Sequence, residues 1–216
     1  MKKVTVSISA LVVAAFAPLA LADIEVIYSV GGTNATCGPV AGAGPVNCAS
    51  PVTVNGVQIT GLTANSDSPG TGAVAFDTSA TSTFNNTGST AETIVINVLA
   101  DGFTAPTAPP GGIIFFSGIG GSVTIGGANT LSYVSCINEG AGFSGPPACP
   151  ATINSATLTP SITASSSSYN ASTSSSISVL GAPYSINEML TVVLARVRLS
   201  ISARAPVWRS YRNRRV

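Results

Sequence analysis

The sequence predicts an all-β fold, a single antiparallel β-sandwich of jelly-roll type, on three observations. Short runs of β-branched and aromatic residues recur through residues 23–195 between Gly, Pro and Asn turn signals. No stretch shows the 3.6-residue apolar period of an amphipathic helix. Hydrophobic residues make up 45 % of the chain against 8 % charged, which favours a packed core over disorder. A β-solenoid is the runner-up; the absence of a fixed repeat period counts against it.

The chain opens with a segment that is not part of this fold. Lys2 and Lys3 precede the apolar run Val4 to Ala17, and Ala20-Leu21-Ala22 is a small-x-small cleavage site with Asp23 as the first mature residue. The apolar run is short for a membrane span of about 20 residues. Residues 1–22 therefore read as a signal peptide of bacterial style. The partners it implies are signal peptidase and the secretion machinery, and no stable membrane span is expected in this chain.

Asp23 to Val30 alternates, with Ile24, Val26, Tyr28 and Val30 on one face, and reads as the first strand. The four cysteines fall into two local pairs, Cys37 with Cys48 and Cys136 with Cys149, each bracketing a Gly/Pro-rich loop. Three connectivities are open to four cysteines, and the two local bridges are the simplest. Val52 to Thr60 is a hairpin about the two-residue turn Asn55-Gly56, with Val54 facing Val57, Thr53 facing Gln58 and Val52 facing Ile59. Asn65 to Gly72 reads as a turn-rich loop, followed by short strands near Ala73–Phe76 and Thr81–Phe84 and a turn at Asn85–Gly88.

Thr93 to Leu99 is the strongest strand signal in the chain, and Ile113 to Phe116 is expected to be its neighbour across a turn opened by Asp101-Gly102. Gly118, Gly120 and Gly121 then punctuate the chain before Val123–Ile125. Leu131–Ile137 and Ala156–Thr163 are further strands. Ala164 to Ser178 is serine-rich and of low complexity, and reads as a solvated edge strand or a linker. Tyr184 to Leu194 closes the fold, with Tyr184, Ile186, Leu190, Val192 and Leu194 on one face.

The formal net charge of +1 hides a segregation. Residues 4–195 hold all eight acids and no Lys or Arg, a charge of −8, whereas the seven arginines from Arg196 onward give the last 21 residues +7. Residues 23–195 are thus the sandwich domain and residues 196–216 a basic, unstructured tail. An acidic body without a cation is a poor binder of nucleic acid.

The same inventory bears on catalysis. Without His, and without Lys or Arg in the body, a Ser-His-Asp triad, a Cys-His pair, a Schiff-base lysine and an arginine clamp on phosphate are excluded. No catalytic residue is assigned and no cofactor is expected. Carboxylate chemistry remains, and a secreted carboxylate-dependent glycan hydrolase is the alternative function; it needs two carboxyls about 5–9.5 Å apart. The missing His and C-x-x-C also speak against zinc. Asn65, Asp67 and Asp77 are weak calcium candidates, for which an Asx-turn is the preferred explanation. Gly118-Ile119-Gly120-Gly121 lacks the following helix that a phosphate loop requires.

In its signal peptide, its low-charge Gly/Ser/Thr-rich β body and its closing strand Tyr184 to Thr191, the chain resembles the PEP-CTERM class of secreted bacterial proteins, which an exosortase system sorts to the envelope. The resemblance implies a C-terminal Pro-Glu-Pro motif, a transmembrane helix and a basic end. Only the basic end is present, as Arg212, Arg214 and Arg215. A frameshift is the expected cause of the difference: codons that can be chosen for Ser210 to Val216 spell Val-Pro-Glu-Pro-Ala-Gly in another frame. The expectation is an exported, non-enzymatic protein of the cell envelope or extracellular matrix, located in the periplasm, on the outer surface or outside the cell. Its role is structural, adhesive or glycan-contacting, with extracellular polysaccharide as the ligand class.

Overall fold

The computed structural model describes residues 23–41, 44–71, 75, 77–80, 83–107, 112–123, 130–139, 153–154, 157–159, 167–178 and 180–195, with side chains for all of these except 77–80, 121–123, 153–154 and 167–169. The signal segment, the basic tail, Cys149 and the expected strand at Val123–Ile125 beyond its first residue lie outside them. The strands are β1 (Asp23–Val30), β2 (Thr33–Ala41), β3 (Val46–Asn47), β4 (Val52–Val54), β5 (Val57–Thr60), β6 (Thr63–Ser66), β7 (Asp77–Ala80), β8 (Thr83–Asn86), β9 (Glu92–Phe103), β10 (Ile113–Val123), β11 (Thr130–Glu139), β12 (Ile153–Asn154), β13 (Ser167–Ile177) and β14 (Tyr184–Leu194). Every pairing among them is antiparallel, and no helix occurs among the described residues, so the fold is all-β and sandwich-like.

A six-stranded sheet in the order β12-β11-β14-β9-β1-β2 is the main layer. Its centre is β9, flanked by β14 and β1, so the most β-prone run of the sequence occupies the most enclosed position. Register lines up one apolar face in rows: Ile137, Ile186, Ala100 and Ile24; then Tyr133, Leu190, Ile96 and Tyr28; then Leu131, Val192, Ile94 and Val30. Apart from Tyr133, these rows form one core with Val46, Val57, Ile59 and Ala64 from the smaller sheets β3-β6-β7 and β4-β5-β8 and with Leu62 between β5 and β6. Each Val, Ile or Leu among them that is fully taken from water contributes about 1.5–3 kcal/mol. The alternation expected for β1 is observed, with every second residue buried.

Two expectations about the centre need correction. Ile113–Phe116 is not beside β9; it opens β10, which pairs only with β13 in a separate two-stranded sheet among the described residues. Nor does Asp101-Gly102 end β9. Tyr184 faces Phe103 and Ile186 faces Ala100, so Asp101 and Gly102 together oppose Ser185 alone. This is a β-bulge, with Gly102 supplying φ +71°. Asp-Gly signalled a left-handed residue, and a bulge uses one as readily as a turn does.

Two loop expectations also change. The chain after the first strand returns at once as β2, and Asn85 and Asn86 belong to β8 rather than to a turn; of the two readings of the serine-rich stretch, edge strand or linker, residues 167–177 are the strand β13. From Ala156–Thr163, Leu158 makes an isolated bridge to Tyr133.

The Asn55-Gly56 hairpin has the expected register, Val52 with Ile59, Thr53 with Gln58 and Val54 with Val57. Val57 and Ile59 are buried, Val52 and Val54 pack against the core, and Thr53 is exposed. Both turn residues have positive φ, 46° and 77°, as a hairpin of matching twist requires. Asn55 does more than turn the chain: its Nδ2 donates to the Val30 carbonyl at 2.7 Å and to Thr33 Oγ1 at 3.0 Å, fastening the hairpin tip to the β1–β2 turn. Asn55→Gly keeps the turn geometry and loses both bonds. It is expected to lower the unfolding free energy by about 1 kcal/mol in a urea titration; an unchanged midpoint would show that the tip is not fastened in solution.

Candidate functional site

Several of the acids accept hydrogen bonds, from a side chain or from backbone. Glu92 Oε1 accepts from Thr90 Oγ1 at 2.8 Å, and Glu139 Oε1 accepts from the Gly181 N–H at 2.9 Å. Asp101, on the bulge, accepts the Asp23 N–H at 2.8 Å, while its own carbonyl accepts from Ser68 Oγ at 2.6 Å. Burial raises the Asp101 carboxyl above the usual aspartate value; the bond from Asp23 opposes that rise and the Asp23 carboxylate adds to it. Glu25 is raised by partial burial as well. Glu188 stands in the apolar face itself, in a row with Ser135, Val98 and Val26, and is buried.

Two of the calcium candidates lie on the paired strands β6 and β7 and the third in the turn that follows β6; the Asp77 side chain lies outside the described residues. Asn65 pairs with Thr78, and Asp77 with Ser66, across β6 and β7. Asp67 lies in the turn after β6, where the Gly70 N–H donates to its carbonyl at 2.8 Å. The Asp67 charge is felt by Tyr184, whose phenol is pushed up to about 12, by burial first and by Asp67 second. No group of three or more His, Cys, Asp or Glu able to hold a metal occurs among the described residues.

Cys37 and Cys48 form a disulfide with Cα atoms 5.3 Å apart, joining β2 to the chain just after β3. Cys136 is also disulfide-bonded; Cys149, its expected partner, is outside the described residues. Of the cleavage-site residues, Asp23 begins β1, and Ala20 and Ala22 lie outside.

The feature that the sequence reading missed is the outer face of the β10–β13 ribbon. Register places Ile114 opposite Ser176, Phe116 opposite Ser174, Gly118 opposite Ser172 and Gly120 opposite Asn170, and all eight residues are exposed. Ile114 is 75 % and Phe116 68 % accessible, the two largest apolar exposures among the described residues. The Phe116 ring leans along the strand over Gly118: a Cβ added there would sit 3.2 Å from the ring. Gly118 is therefore the gap that lets the ring lie down beside the hydroxyl row. The inward face differs. Ile113, Phe115 and Ile119 pack against the core, Ile177 is buried, and Ser117 and Ser135 share a 2.8 Å hydrogen bond that ties the ribbon to β11.

Neither β10 nor β13 contains Asp, Glu, Lys or Arg. An apolar run of four, Ile113–Phe116, reads as a core strand, and a serine-rich run reads equally as an edge strand or a linker. No spacing within β13 signals the face, because serines stand on both of its sides; the pairing with β10 is what reveals it.

The chain matches no protein family, no curated protein and no solved structure. Among the described residues no helix is long and apolar enough to cross a membrane.

Proposed function

We propose that the protein is an exported, non-enzymatic component of the bacterial envelope or extracellular matrix, in the manner of the PEP-CTERM class, and that it contacts polysaccharide through the outer face of the β10–β13 ribbon. The observation that carries this reading is the uncharged, exposed ladder of Ile114 and Phe116 beside Ser172, Ser174, Ser176 and Asn170. A sugar ring has an apolar C–H face and a rim of hydroxyls. The first suits a phenyl face, and the second suits side chains that both donate and accept hydrogen bonds. The polymer is neutral, because the acidic body repels a polyanion and the face offers no cation to hold one. The disulfide fits an oxidising compartment. The ties of Glu139 and Asp101 to backbone N–H groups also favour a scaffold over a hydrolase.

Native electrophoresis through gels containing a neutral or an anionic polysaccharide tests this. The protein is expected to be retarded by the neutral polymer only, and Phe116→Ser to abolish the retardation while changing stability by less than about 0.5 kcal/mol, as surface substitutions do. Retention of binding by Phe116→Ser would remove the ribbon from the account. Concentration-dependent retardation in a gel without polysaccharide would assign the face to self-association instead.

A further inference from the structure

We propose that removal of the signal segment after Ala22 converts a hydrogen bond into an internal ion pair, between the new α-ammonium of Asp23 and the partly buried carboxylate of Asp101, and that this pair locks the start of β1 to the β9 bulge. The inference rests on the cleavage reading of Ala20-Leu21-Ala22 and is independent of the ligand.

The geometry is already in place. The β1–β9 ladder ends at Ile24 with Ala100, and the next backbone pair would be Asp23 with Asp101. The bulge at Asp101-Gly102 breaks the ladder there, and the Asp101 side chain takes over as acceptor of the Asp23 N–H at 2.8 Å. Asp101 is only 9 % accessible as a residue, and the bond to its carboxylate is partly buried. A buried carboxylate normally has a cation. Here residues 4–195 contain no Lys, Arg or His. Among the described residues the charge acting on it is the Asp23 carboxylate; the ionisable groups of the adjoining elements include Glu25 further along β1, Asp67 in the turn whose Ser68 bonds the Asp101 carbonyl, and the Tyr184 phenol on β14, and none of these is a cation. On β2, Asp23 faces Ala41.

Hydrolysis of the Ala22–Asp23 peptide bond consumes one water. It leaves a carboxylate on Ala22, which departs with the signal segment, and an amine on Asp23, which takes up a proton. The atom that donated as a neutral amide then donates as an ammonium to the same oxygen. Charge-assisted bonds of this kind are about twice as strong as neutral ones. The new charge also lies between two carboxylates, its own and that of Asp101, whose mutual repulsion it relieves. Only the processed chain has this cation, so the fold is tightest after export.

The test compares residues 23–216 released from a cleavable fusion with a free Asp23 amine, the same chain acetylated at that nitrogen, and both forms carrying Asp101→Asn. Acetylation keeps an N–H at the same place and removes only the charge. At pH 6 the free-amine chain is expected to melt about 2–4 °C above the acetylated one, and the gap to fall below about 1 °C in Asp101→Asn. The partner raises the folded-state pKa of the α-amino group above its usual value of about 7.7–8.0. The added stability is therefore complete below that value and disappears as pH rises through the folded pKa. A direct NMR titration of the free amine gives the same answer without any variant: a pKa above about 8.5 is expected. Equal melting of free and acetylated chains, a gap that survives Asp101→Asn, or an α-amino pKa at or below its usual value would overturn the lock. Terminal sequencing of the exported protein is the separate check: a first residue other than Asp23 overturns the processing reading on which the lock rests.

Discussion

Phe103→Ala is expected to cost about 3–5 kcal/mol of unfolding free energy, the range for deleting a buried aromatic ring. Phe103 is the last residue of β9 and fully buried. Its ring stacks on Tyr184 with centroids 5.3 Å apart and planes 13° from parallel. Tyr184 cannot readily move into the space, because its hydroxyl donates to the Ala105 carbonyl at 2.9 Å and lies 3.3 Å from that of Pro106. The segment after β9 is itself held, since the Thr104 and Ala105 N–H groups both donate to the Pro69 carbonyl and Gly70 (φ +80°) abuts the Ala105 carbonyl. A pinned neighbour and a pinned backbone leave a cavity, so the upper part of the range applies. Tyr184→Phe is the contrast: it keeps the stack, loses the hydroxyl and should cost only about 1 kcal/mol. The phenol pKa is raised to about 12, so the native protein should lose stability as pH rises from about 10, and Tyr184→Phe should not show that loss. Urea titrations with an unchanged m-value decide both; a Phe103→Ala loss near that of Tyr184→Phe would mean that the corner collapses around the missing ring.

What the sequence disclosed follows the range of the interaction involved. β1, the Asn55-Gly56 hairpin and β14 were legible because their signals are local: a period of two, or a dipeptide suited to positive φ. The partner of β9 was not, because β14 joins it from about ninety residues further on, and an apolar strand does not say which of several apolar strands it will meet. Asp101-Gly102 was half legible, since its conformation could be read but not its use in a bulge. β13 was hidden for another reason. Its side chains are nearly uniform in polarity, so no hydropathy alternation marks it, and its place is set by backbone pairing with β10 from Ile177 to Ser167. The exposed Phe116 face went unread with it, because β10 was expected beside β9 in the core and the serine-rich stretch, edge strand or linker, had no partner assigned. Asp101 and Asp23 are 78 residues apart, and only the bulge brings the carboxylate to the strand start.

Replacing both Cys37 and Cys48 by alanine is expected to lower stability by about 3 kcal/mol, and the melting temperature by roughly 6–12 °C in a chain of this size. The loop they close spans 11 residues and includes Gly38, Pro39, Gly42, Gly44 and Pro45, so the open chain regains much freedom when the bridge is absent. The position of the bridge adds a second consequence. β2 is an edge of the six-stranded sheet, mostly exposed and paired only with β1 among the described strands. Pro39 within it offers no N–H, which an edge tolerates. The bridge runs from this edge to Cys48, whose N–H donates to the Leu62 carbonyl at 3.0 Å, and so fastens the large sheet to the β3-β6-β7 sheet packed on it. Without it β2 retains only its ladder to β1, whereas β9 keeps neighbours on both sides. Amide hydrogen exchange in the double variant should therefore rise first and most in residues 33–41, with β9 and β14 following only the global loss. A uniform rise across all strands would show that the bridge acts on the unfolded chain alone, and an unchanged melting temperature would show that β2 is held by its ladder without help.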